Sequence, residues 1–456
     1  MDAPEQKRLR TIIFASSLGT LFEWYDFYLY GSLAVFFGDL FFPKSDGNAG
    51  LLASLATFGA GFGVRPLGAV VFGRVGDLIG RKYTFLVTIV TMGLSTALIG
   101  FLPTYAQVGL LAPALLVALR LIQGLALGGE YGGAATYVAE HVPDDRRGYY
   151  TSYIQTTATL GFFVSLAVIG WARAHYGALG FKAFGWRVPF VLSVFLVGIS
   201  LFIRMRLAES PLFAKLKIEG RVSKNPLRES FGNPRNLRYV LLALFGATAG
   251  QGVVWYTGQF YALTFLQKPL NLDWRLAYAL IAVALAIGTP MFVFFGRLSD
   301  RVGRKKLMLT GCVLAAATYV PIYMGIHHLA NPTLVPKVTS LDAGAFAGIV
   351  ALLALQMVYV TMVYGPIAAF LVELFPTSIR YTSMSLPYHL GNGWFGGFLP
   401  LIATAVMGST WAKTTFGSGA IYTGLIYPIA VCLLTAIVGG LFIHETKGHK
   451  IDTPIH

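Results

Sequence analysis

Charge is what this 456-residue chain has least of. Asp, Glu, Lys and Arg make up 12% of it, about half the roughly 25% of an average soluble domain, while 55% is hydrophobic. A water-soluble chain of this length has a large surface to cover with polar side chains. Here they are missing, and lipid is the expected solvent for most of that surface. Cysteine is nearly absent too. Cys312 and Cys432 both sit in apolar runs, which argues against a disulfide framework and for two small core residues. HExxH, GxSxG and any phosphate-cradling loop are missing, and the longest polar segment is too short for a catalytic domain. No enzyme, metal or cofactor is expected, a proton apart. Nor is a cleavable leader, because the apolar run after Met1–Arg10 is too long and contains acids.

What the chain has is apolar runs. Helices are predicted at about 11–38, 49–74, 83–102, 107–140, 150–173, 187–206, 239–266, 275–298, 306–327, 345–373, 381–407 and 417–443, each long enough to cross a bilayer. That makes an all-α membrane protein of twelve transmembrane helices. The net charge of +15 belongs to its topology and not to nucleic acid. Of 35 Lys and Arg, 25 fall on one side of these helices and eight on the other, with Arg65 and Arg120 inside helices. The basic side is expected to be cytoplasmic, with both termini and the central loop. The expected division is 11–206, a six-helix bundle; 207–238, a cytoplasmic linker; 239–443, a second bundle; and 444–456, a short tail. In the linker, Lys215, Lys217, Arg221, Lys224 and Arg228 are placed to lie on anionic lipid.

The two halves repeat. Gly73-Arg-Val-Gly-Asp77-Leu-Ile-Gly80-Arg81-Lys82 recurs as Gly296-Arg-Leu-Ser-Asp300-Arg-Val-Gly303-Arg304-Lys305. Glu140-x-x-Pro143-x-x-x-Arg147 recurs as Glu373-x-x-Pro376-x-x-x-Arg380. Two motifs after the same helices of each half mark a duplicated, pseudo-symmetric six-helix unit. Glycine allows the tight turn. Asp77 and Asp300 suit the exposed N–H groups of a neighbouring helix start and a partner in Arg81 or Arg304. We read this cluster as a latch; setting topology and turn shape alone requires no Asp at a fixed spacing.

Five ionisable residues fall inside predicted spans: Glu23, Asp26, Arg65, Arg120 and Glu130. Each costs roughly 2.5–3.5 kcal/mol at mid-helix if unpaired, so they are expected to face inward and to pair. Depth along the helices suggests Arg65 with Glu130, grouped with the latch, and Asp26 with Arg120. Glu23 lies three residues from Asp26, on the same helix face. Two carboxylates beside one Arg cannot both stay ionised in a low dielectric, so Asp26, or Glu23, is the expected carrier of a mobile proton. Static ion pairs that fix helix packing are the plain alternative.

These residues carry a resemblance. Gly19-Thr-Leu-Phe-Glu23-Trp-Tyr-Asp26-Phe-Tyr-Leu-Tyr-Gly31 resembles the signature of the metabolite:proton symporter family, a branch of the major facilitators. Gly63-Val-Arg65-Pro66-Leu-Gly68, Arg120-Leu-Ile-Gln123-Gly124-x-x-x-Gly128-Gly129-Glu130, Glu209-Ser-Pro211 and Glu445-Thr-Lys-Gly448 match as well. The resemblance implies a major facilitator fold and uptake, with a proton, of small organic acids or zwitterions such as citrate, 2-oxoglutarate, shikimate, proline or betaine. In the related sugar porters, a helix 1 Asp pairs with a helix 4 Arg to couple protons; Asp26 and Arg120 match those positions. Osmosensing members carry a coiled-coil extension, and this chain ends 13 residues after its last predicted span, so an organic-acid carrier is the expectation.

The second half lacks buried charge but is rich in polar and aromatic residues. Gln251, Trp255 and Gln259 are spaced to share one helix face; Tyr256, Gln356, Tyr364, Tyr388, His389 and Asn392 follow. Arg120, Arg65, Gln123, Gln251, Trp255, Tyr256 and Asn392 are the candidate substrate contacts. Each of the last four is as well suited to gluing helices together. The expected function is proton-coupled import of a mono-, di- or tricarboxylate by alternating access, in a bacterial inner membrane and as a monomer. The alternatives are a proline- or betaine-type zwitterion symporter, an uncoupled facilitator or exporter, and a non-transporting solute sensor.

Overall fold

A computed structural model of the chain describes residues 3–43, 49–79, 81–129, 131–205, 211–220, 223–449 and 451. The side chains of some helical residues, Glu23 and Arg81 among them, lie outside that description, as does Glu130 altogether. The molecule is built from helices. We number the spans α1 (Ala3–Phe41), α2 (Ala49–Gly63 and Arg65–Leu78), α3 (Arg81–Ile99), α4 (Leu111–Gly128 and Tyr131–Ala139), α5 (Arg147–Ala183) and α6 (Val188–Met205). The second half follows with α7 (Pro234–Gln267), α8 (Trp274–Val302), α9 (Arg304–Ala330), α10 (Ala343–Leu374), α11 (Arg380–Gly408) and α12 (Thr410–Phe442). Among the described residues, ten of the twelve contain stretches long and apolar enough to cross a membrane. The other two are α1, which carries Glu23, Asp26 and Asp39, and α3, whose apolar stretch is the shorter Leu86–Ile99.

Predicted ends and observed ends differ where helices continue past the hydrocarbon. The fifth span was expected to stop near 173; α5 runs to Ala183 across a kink at Gly177, whose φ of 66° suits glycine. Hydropathy cannot place such an end, because a helix persists in the interfacial layer once started. The segment between the halves holds two short helices, Pro211–Ile218 and Pro226–Phe231. Asn225 caps the second by accepting from the Arg228 amide, and Asn233 accepts from the Arg235 amide at the start of α7. Lys215, Lys217, Lys224 and Arg228 are exposed; Arg221 lies outside the described residues.

Large apolar side chains point outward along the spans, among them Leu94, Phe101, Phe195, Ile437 and Leu441. In water that surface would be a liability; in lipid it is the solvated face. Inside, small residues set the spacing. A methyl group on Gly124 of α4 would collide with the Gly61 carbonyl of α2, and one on Gly252 of α7 with the Gly391 carbonyl of α11. Only glycine permits such backbone approach between spans.

Candidate transport site and latch

At the basic end of the bundle, polar contacts join the two halves. Asp300, at the end of α8, accepts from the backbone amides of Gly148 and Tyr149 at the start of α5, both at 2.8 Å. Arg304 donates to the same carboxylate at 2.7 Å. Asp77, at the end of α2, accepts from the Thr382 amide at 3.3 Å and its hydroxyl at 2.6 Å, at the start of α11. Each half thus caps a helix start of the other. The Arg81 side chain and Glu130, both expected in this cluster, lie outside the described residues.

The second repeated motif supplies the rest. Arg147 of the first half pairs with Glu373 of the second at 2.9 Å, and Arg380 of the second with Glu140 of the first at 3.3 Å. Arg304 also reaches Glu373 at 3.0 Å. All five side chains are buried. The segment after α12 threads into this cluster. Thr446 donates its hydroxyl to Glu373 at 2.7 Å, Glu445 accepts from the Arg304 amide at 2.7 Å, and the His449 and Ile451 carbonyls accept from Arg147 and Arg380. The sequence reading used Glu140, Arg147, Glu373 and Arg380 only as evidence of duplication. Their crossed spacing was the available signal for a role.

Midway through the molecule, Asp26 is 1% exposed and neither carboxylate oxygen has a hydrogen-bond partner among the described residues. The expected Asp26–Arg120 pair is therefore not made in this conformation. Arg120 is fully buried but stands over the ring of Tyr30, with its carbon 4.7 Å from the centroid, and donates to Gln123. Tyr30 is one helical turn beyond Asp26, about 6 Å along α1. A depth count gives height only roughly and rotation about the helix axis not at all, and Arg120 spends its reach on its own helix neighbour. Gln123 passes the chain on to the Thr96 hydroxyl at 2.7 Å. Arg65 lies nearer the level of Asp26, its guanidinium 3.9 Å from the Phe62 ring and 5.6 Å from that of Trp24. Glu23 belongs to α1, but its side chain is outside the description.

The second half faces this centre with a layer of rings. Trp255 stacks on Tyr28 at 5.2 Å, Tyr256 stands edge-on to Phe62 at 5.2 Å, and Phe260 packs against Tyr28 and Phe162. Gln251 and Asn392 exchange two hydrogen bonds, at 3.0 and 2.8 Å, so in this conformation they serve each other. Gln259 and Gln356 are different: both ends of both amides are buried without a partner among the described residues, as is the Trp255 Nε1. Local π-helical turns at Leu244–Thr248, Thr257–Tyr261 and Leu390–Gly397 flank Gln251 and Trp255 and contain Gln259 and Asn392. A wider turn breaks the 3.6-residue register, so Gln251 and Gln259 do not end in the same surroundings despite their spacing. Sequence reasoning also passed over Tyr131, which stacks on Tyr388 at 3.4 Å and accepts from Gln155 at 2.6 Å.

Comparison with known proteins agrees with this architecture. Residues 16–386 match the family model of the Major Facilitator Superfamily. The chain is 35% identical over 453 residues to the inner membrane metabolite transport protein YhjE of Escherichia coli, covering 96% of this chain and 95% of that one. It is 32% identical to the ectoine/proline transporter ProP of Corynebacterium glutamicum, covering 98% and 89%. It is also 32% identical to the glycine betaine/proline/ectoine/pipecolic acid transporter OusA of Dickeya dadantii, covering 97% and 85%. Among solved structures, the proton:xylose symporter XylE superposes with a TM-score of 0.73 at 17% identity, over 98% of both chains. The chain belongs to the Major Facilitator Superfamily, among its metabolite transporters.

Proposed function

We propose that this protein is a proton-coupled symporter of a small zwitterion, working by alternating access with its basic face in the cytoplasm of a bacterial cell. The observation that carries the reading is Asp26, a carboxyl group buried at the centre with no hydrogen-bond partner among the described residues. A lone charge there costs far more than a neutral acid, so Asp26 is the seat of the proton. Arg65 and Arg120 stand close by as receivers of a carboxylate. The faces of Tyr28, Trp255 and Phe260 suit the ammonium end of the same solute. Gln259, Gln356 and the Trp255 N–H complete the polar contacts, because buried amides are satisfied by a partner and these have none among the described residues.

The expectation of a purely anionic organic acid gives way to its alternative. The relatives named by solute carry proline, ectoine, glycine betaine and pipecolic acid, all zwitterions. Uptake into proteoliposomes tests the assignment. Proline or betaine is expected to accumulate under an inward proton gradient and to stop on addition of an uncoupler. Asp26→Asn is expected to abolish accumulation while leaving counterflow measurable. Accumulation by Asp26→Asn against a gradient overturns the coupling role, and preference for citrate over betaine overturns the solute class.

A further inference from the structure

The helix pair α5 and α8 is tied at the basic end by Asp300, and it meets again at the opposite end. There the guanidinium carbon of Arg173, on α5, stands within a cage of four rings. It is 4.8 Å from the centroid of Trp274, 5.0 Å from Phe181, 5.6 Å from Phe36 and 5.8 Å from Tyr278. Phe36 and Phe181 belong to the first half, on α1 and α5; Trp274 and Tyr278 open α8 of the second. Tyr278 also donates its hydroxyl to the Ser32 carbonyl of α1 at 2.9 Å. The Arg173 Nε is buried with no hydrogen-bond partner among the described residues. Between Gly148 and Arg173 the helix is continuous, and at 1.5 Å per residue it covers about 37 Å, more than the ~30 Å hydrocarbon layer.

We propose that Arg173 and its four rings form the closing contact of the face opposite the ion-pair latch: a cation–π gate shared by the two halves. The inference rests on the alternating-access reading above. A guanidinium is planar and weakly hydrated, and it stacks on ring faces where an ammonium prefers water. The cage is complete only while the halves touch at this end. When they part, Trp274 and Tyr278 leave with the second half, and Arg173 keeps two rings of four. One face is then closed by carboxylates on helix starts and buried ion pairs, the other by a cation among aromatics. The cage also explains why an Arg stands here, at an inter-bundle seam where its observed neighbours are rings.

A single reporter tests this without solute or gradient. Ser32→Cys places a thiol in the buried turn that Tyr278 covers, and its labelling by a membrane-impermeant maleimide reads opening at this end. In that background, Arg173→Leu is expected to raise the labelling rate about fivefold or more, the scale on which loss of one good contact shifts such an equilibrium. Trp274→Leu is expected to do the same from the other half, with Arg173→Lys in between. The double variant is expected to exceed neither single one by much, since both remove one contact. Labelling unchanged in both Arg173→Leu and Trp274→Leu, in protein that still elutes as a folded monodisperse species, overturns the gate. Failure of the transport reading registers separately, as parent protein that does not accumulate solute whatever its labelling.

Discussion

At the scale of single residues, the centre separates into polar groups that have partners and polar groups that wait for one. Gln251 and Asn392 pair with each other, and Asn392 also donates to the Tyr388 carbonyl at 3.2 Å. Removing one leaves the other's amide stranded in an apolar interior, at about 1–3 kcal/mol. Gln251→Leu is therefore expected to lower the melting temperature of purified protein clearly, and Gln251→Leu with Asn392→Leu to recover part of the loss. Gln356→Leu removes a group with no partner to strand among the described residues; its melting temperature is expected to hold or rise, while KM for the zwitterion rises about tenfold, one lost hydrogen bond of 1–1.5 kcal/mol. Equal melting temperatures for Gln251→Leu and parent sink the distinction. Residue types and depths were legible in the chain: Asp26, Arg65 and Arg120 are buried as expected. Which of them touch was not, because periodicity carries height along a helix better than rotation between helices.

At the scale of elements, apolar runs marked the twelve helices, of which ten are long and apolar enough to cross a membrane among the described residues; which helix starts Asp77 and Asp300 cap was not legible, because a loop motif does not name its neighbour. The π-helical turns of α7 and α11 left no trace a 3.6-residue pattern could detect, and the lengths of α1 and α5 beyond the hydrocarbon were invisible for the same reason. The glycines were visible but not their partners. Gly124 and Gly61 bring α4 against α2, which places Arg120 and Arg65 in one centre. Gly124→Val forces the two backbones apart, and overpacking of this kind typically costs 1–3 kcal/mol. The expected result is lower stability together with uptake reduced far more than expression. Wild-type uptake by Gly124→Val contradicts the idea that this contact sets the spacing of the two guanidinium groups.

At the scale of the whole molecule, the latch divides its work unequally. Glu373 is shared by Arg147, Arg304 and the Thr446 hydroxyl, whereas Glu140 accepts from Arg380 at a longer 3.3 Å. Neutralising the hub removes the carboxylate that two buried cations share, leaving Arg304 with Asp300 and Arg147 with Asp144, and breaking a buried pair by removing one partner commonly costs 3–5 kcal/mol. On the alternating-access reading proposed above, that cost falls only on the conformation in which the basic face is shut, since the pairs span both halves. Glu373→Gln is thus expected to shift the population toward basic-face-open, and Glu140→Gln to do so less. Alkylation of Ser152→Cys, buried where α5 meets Gly296 of α8, measures that shift from the basic side of inside-out vesicles. The expected order of rates is Glu373→Gln, then Glu140→Gln, then parent. If Glu140→Gln labels fastest, the hub is misplaced and the Arg380 pair carries the closure; if all three label alike, the ion pairs hold the helices together without governing which face is open.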